Sequence, residues 1–87
     1  ATDDEKVTQL RARVAALAQA VEPEMTIHDF RVVEGPTHTN VIFDAVVPHR
    51  CRLSDQEVRE RLSRAVTALD SAYQAVIQID RAYVEAR

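Results

Sequence analysis

The sequence predicts an α+β domain in which two helices cover one face of a three-stranded mixed sheet. Apolar residues recur at helical spacing in two segments and alternate in three shorter ones, in the order helix, strand, strand, helix, strand. The link around the only glycine, Gly35, is short enough that the first two strands must form an antiparallel hairpin. A helix joins the second strand to the third, which favours a right-handed parallel crossover.

The first helix is expected over residues 3–21, where Val7, Leu10, Val14, Leu17 and Val21 fall on one face. Thr2-Asp3-Asp4-Glu5 has the form of a capping box, and its acids sit where the helix dipole favours them. Glu22-Pro23 ends the helix, because proline has no N–H to continue it. Residues 25–34 are rich in β-branched and aromatic side chains and read as a strand. Gly35-Pro36 breaks it, and a second strand over 39–47 sets Val41, Phe43, Ala45 and Val47 on one face. Ile42 and Val46 lie on the other face. A sheet apolar on both sides calls for a second cover, which in so small a domain a dimer partner could provide.

Pro48 stops the second strand. Ser54-Asp55-Gln56-Glu57 is another capping box, opening a helix over 54–69 with Val58, Leu62, Ala65, Val66 and Leu69 on its buried face. Asp70-Ser71 is the exit. A strand over 74–81 follows, with Ala75, Ile77 and Ile79 alternating with Val76, Gln78 and Asp80.

At 87 residues the chain makes one domain, near the lower size at which a single core suffices, so a partner surface would add stability. Its 46% apolar and 29% charged residues are ordinary for a globular protein. The net charge is −3 and the basic residues are scattered, without the clustered basic face and interleaved aromatics of a nucleic-acid binder. No apolar run reaches the roughly 18–20 residues that span a bilayer, and no signal peptide is visible. The single cysteine, Cys51, excludes an internal disulfide and a zinc-finger spacing, and reads as a reduced intracellular thiol.

No phosphate-binding glycine loop, nucleophile elbow or HExxH helix is present, so the sequence argues against an enzyme. Metal binding is the sharper reading. His28-Asp29 lies in the first strand, His38 near the turn, Asp44 in the second strand and Asp80 at the end of the third. Imidazole nitrogen with carboxylate oxygen suits zinc, manganese or iron(II). The plainer alternatives stay open at this point. His28 fits a half-buried residue bonded to a carbonyl, His38 an exposed turn residue, and Asp44 and Asp80 solvated or arginine-paired strand carboxylates. His49 and Cys51 form a further soft pair in a loop.

The run His28-Asp29-Phe30-Arg31-Val32, then Gly35-Pro36, then Ile42-Phe43-Asp44-Ala45-Val46-Val47-Pro48 resembles the cytosolic C-terminal domain of cation diffusion facilitator transporters, most of all a bacterial subgroup. The closing strand Val76-Ile77-Gln78-Ile79-Asp80 is similar to that family's last strand, and the resemblance covers about residues 5–82.

The resemblance implies a metallochaperone-like, ferredoxin-like two-layer sandwich that pairs as a homodimer below a bacterial cell membrane. The membrane part, absent from this chain, would exchange divalent cations for protons. The cytosolic pair would bind metal (zinc, or manganese or iron) and adjust transport. Its implied metal residues here are His28 and Asp80, with His38 and Asp44 as further candidates. Phe43, Gln56 and Gln78 stand where the family often has histidine. Ile42, Val46 and Val76 are the expected dimer interface. Two alternatives remain: a dimerising module without metal, and a free-standing small α/β ligand-binding domain.

Overall fold

The computed structural model describes residues 3–83. Helix α1 spans Asp3–Val21, strand β1 Thr26–Glu34, strand β2 Thr39–Pro48, helix α2 Asp55–Leu69 and strand β3 Tyr73–Ala82. Local chemistry sets the ends. Three acids occupy the first turn of α1, while Thr2, the expected cap, lies outside the described residues. Residue 25 belongs to a turn rather than to the strand predicted over 25–34, because the Met25 N–H closes onto the Glu22 carbonyl at 2.9 Å. Ser54 caps α2 instead of joining it. Its Oγ accepts from the Glu57 N–H at 3.1 Å, and the Glu57 carboxylate accepts from the Ser54 N–H at 3.0 Å. At the far end the Asp70 carboxylate accepts from the Ala72 N–H at 2.9 Å and turns the chain into β3.

The sheet order is β1-β2-β3, with β1 and β2 antiparallel and β2 and β3 parallel. In the hairpin, the Gly35 N–H bonds to the His38 carbonyl at 2.9 Å. A Cβ at position 35 would stand 2.9 Å from that same oxygen, which is why the turn takes glycine.

Both helices pack on one face. Leu10, Val14 and Ala18 of α1 and Val58, Leu62 and Val66 of α2 meet Met25, Ile27, Val41, Phe43, Ala45 and Val47, and none is more than 8% exposed. Val7, Leu17, Val21, Ala65 and Leu69, placed on buried faces by their spacing, are only half-buried, and of these Val21 and Leu69 pack against the core. The buried stripe of α1 steps by four residues from Leu10, which selects Ala18 over Leu17.

The other face of the sheet has no cover among the described residues. There Val33 is 51% and Val76 46% exposed, with Ile42 and Val46 half-buried beside them on the central strand.

Candidate functional site

The open face carries the chemistry, and an irregularity in β1 assembles it. Pairing runs Thr26↔Val46, Ile27↔Ala45, His28↔Asp44 and then resumes at Arg31↔Ile42. Asp29 and Phe30 together oppose Phe43, so β1 carries a bulge. Asp29 takes a positive φ of 53°, a conformation that aspartate tolerates better than most side chains. The extra residue changes the phase of the strand. Ile27 before it and Phe30 and Val32 after it all pack toward the helices, and Phe30 stacks on Phe43 at 6.0 Å between ring centroids.

Asp29 is thereby brought to Asp44. Partial desolvation on the central strand, a side-chain hydrogen bond with Asp29, and the negative charges of Asp29 and Asp80 raise the Asp44 pKa above the ordinary carboxylate value, while nearby Arg31 opposes the shift. Two carboxyl groups can hydrogen-bond only by sharing a proton. The Asp44 row continues His28↔Asp44↔Gln78 across all three strands, and Asp80 lies on the same face two residues beyond Gln78. Asp29 and Asp80 therefore act on Asp44, and His28 stands opposite it in the strand register. Among the described residues no three His, Cys, Asp or Glu side chains form a ready-made cage for a metal ion. The donor chemistry fits a divalent cation, but one chain alone does not hold the donors in a closed set.

The four residues singled out for metal binding divide three to one. His28, Asp44 and Asp80 share this region; His38 does not. It lies in the turn closed by the Glu34↔Thr39 pair at the other end of the hairpin, and that pair is about 17 Å along the strand from Asp44 at ~3.4 Å per residue. Its Nδ1 is 3.1 Å from the Thr37 Oγ1 at the exposed turn. His28 is exposed rather than half-buried, and its Nε2 bonds to the Thr26 hydroxyl at 2.9 Å and not to a carbonyl.

Phe43 needs a correction. It sits on the helix-covered face, wholly buried, so it cannot be the place of a lost ligand beside His28. Asp44, one residue on, occupies that place. Gln78 is the residue beside Asp44 on the open face. Gln56 lies on the first turn of α2, in the helix layer, 3.5 Å from the Glu60 carboxylate.

His49 and Cys51 part company in the fold. The His49 ring stacks on Tyr83 at 4.3 Å, whereas Cys51 is half-buried as a free thiol. Arg81 fixes the loop between them and α2. It donates to the carbonyls of Pro48 (3.4 Å), Cys51 (3.0 Å) and Leu53 and pairs with the Asp55 carboxylate at 2.9 Å.

Among the described residues no helix is long and apolar enough to cross a membrane. No family model and no curated protein sequence matches the chain. Solved structures do. One, of a candidate zinc transporter called CzrB, aligns over 94% of this chain and 99% of its own, with a TM-score of 0.69 and 21% identity. The zinc form of CzrB aligns over 99% of this chain and 96% of its own, with a TM-score of 0.70 and again 21% identity. At that identity the likeness is one of fold: over nearly its whole length the chain has the α-β-β-α-β, ferredoxin-like architecture of those structures.

Proposed function

We propose that this chain is a cytosolic regulatory and dimerising domain of a divalent-cation transporter of the cation diffusion facilitator kind, and that it binds the cation at Asp29, Asp44, Asp80 and His28. The observation that supports it most is the gathering of those four residues on the open sheet face of a fold shared with a candidate zinc transporter. The role is one of binding, not catalysis. Clustered carboxylates repel one another, and a bound cation relieves that repulsion. A second copy, approaching the open face at Ile42, Val46 and Val76, would bring further donors and exclude water. Binding would then favour the paired state, and pairing would act on the transmembrane part of the same transporter.

Protons compete for the same groups, because carboxylates and imidazole bind cations only when deprotonated. Calorimetric titration with zinc and with manganese should give tighter binding near pH 7.5 than near pH 5.5, and Asp44→Asn should weaken it. Equal binding at both pH values, or no heat with either metal, would remove the metal role. The second reading, a dimerising module without metal, draws on Gln78, an amide in the row beside Asp44, and on the exposed Val33 and Val76. A paired mass by light scattering with no calorimetric heat would select it.

A further inference from the structure

The two edges of the sheet differ, and the difference identifies a second contact surface. The β1 edge is defended. Its bulge interrupts the ladder, it carries Asp29, Arg31 and Glu34, and Arg11 reaches the Ile27 carbonyl at 3.4 Å. These are devices that prevent strands of other molecules from adding to a sheet. β3 is less guarded: it has no bulge, its charges stand only near its end at Asp80 and Arg81, and the Thr67 hydroxyl donates to the Tyr73 carbonyl at 3.3 Å at its start. It pairs with β2 in unbroken register from Thr39↔Tyr73 to Pro48↔Ala82, and residues 71–79 contain no charge, proline or glycine.

We propose that β3 pairs antiparallel with β3 of a second copy, joining two three-stranded sheets edge to edge into one of six strands. This contact goes beyond the open-face pairing above and does not depend on a cation. Three features select a second copy as the occupant. The first is sequence symmetry. Gln74-Ala75-Val76-Ile77-Gln78 reads nearly the same in both directions, so a two-fold axis at Val76 sets Val76 against its equivalent and each Gln74 against a Gln78. The glutamine amides can then bond across the interface, and apolar residues meet apolar ones.

The second feature is the backbone. The Ala72 and Ala82 carbonyls accept from Thr39 and His49 on the β2 side, at 2.8 and 2.7 Å. Alternation along the strand therefore turns the N–H and C=O groups of Ala75, Ile77 and Ile79 outward. About Val76, Ala75 of one copy faces Ile77 of the other, which is the pair that must exchange hydrogen bonds. The third feature is incomplete cover. Ala75, Ile77 and Ile79 are only half-buried although they point to the helix side, where the equivalent β2 residues are fully buried. A neighbouring copy would finish that cover.

The test uses the whole chain in chelator, so that a missing cation site cannot affect it. Gln74→Lys with Gln78→Lys sets like charges opposite each other twice across the axis, and should halve the mass found by light scattering. Gln74→Lys with Gln78→Glu restores complementary pairs and should restore the mass. Hydrogen exchange should show the amides of Ala75, Ile77 and Ile79 protected in the assembled state. A single-chain mass at every concentration would overturn the proposal. So would a double-lysine variant that keeps the parent mass, a Lys/Glu variant that stays at half mass, or fast exchange of those three amides in the assembly.

Discussion

On β2, Val41, Phe43, Ala45 and Val47 point into the helix layer and are fully buried, while Ile42, Asp44 and Val46, one residue out of step, remain half-buried on the uncovered face. One strand thus serves two environments. On the closed face packing admits only apolar side chains, since a polar group there would lose its water without gaining a partner. On the open face solvent tolerates a carboxylate between two aliphatic residues, and the mixture leaves both a charge cluster and an apolar patch available for binding. Shape governs the first face and charge the second.

The largest effect should come from breaking the closed face. Phe43→Ala removes its largest fully buried side chain and the stack on Phe30, and should cost about 3–5 kcal/mol in chemical denaturation. A much smaller loss would mean that the helices collapse into the space. Ser54→Ala acts on the same face at one remove, by loosening α2. It should cost about 1 kcal/mol. The Ser54 N–H, the main cause of the lowered Glu57 pKa, stays in the variant, but the smaller contribution of the Ser54 hydroxyl is lost. A lowered carboxylate pKa contributes stability above the ordinary carboxylate range and loses it as pH falls through the folded value. The variant should therefore show a slightly shallower loss on acidification, visible in denaturation midpoints measured across that range.

The open face should respond with the opposite sign and the smallest size. The Asp44 pKa is raised, so the folded state holds its proton more tightly than the unfolded chain does, and stability falls as pH climbs just above the ordinary carboxylate range. Asp44→Asn removes that fall. The variant should be slightly more stable than the parent at neutral pH and no more stable in acid, while binding cation less well. Equal stability shifts at both pH values would show that Asp44 acts through packing, and the contrast between the two faces would weaken.

Much of the architecture was legible because it follows from local rules. The Ser54–Glu57 capping box, the Gly35-Pro36 turn and the alternation along β2 are each set by a few neighbouring residues, and each lies where its sequence signal places it. The candidate site was legible only in part. His28, Asp44 and Asp80 could be named, but no rule of spacing separates them from His38, because their distances are fixed by register between strands. A signal for the bulge does exist: the helix-side residues of β1 shift from odd to even positions between Ile27 and Phe30. That shift marks an inserted residue once the strand is known to have one buried side.

The sequence alone determined the order of elements, the hairpin, the Ser54 cap of α2 and the two apolar faces of β2, since hydrophobic period, capping and turn chemistry act over a few residues at a time. Only the tertiary structure decided which donors meet. The bulge at Asp29 adds a carboxyl group to Asp44, the strand pairing moves His38 to the far end, and the pleat sends Phe43 inward and Asp44 outward. The physical reason is that a one-residue change of phase in a strand reverses the face of every side chain beyond it, and that phase is settled by pairing with another strand.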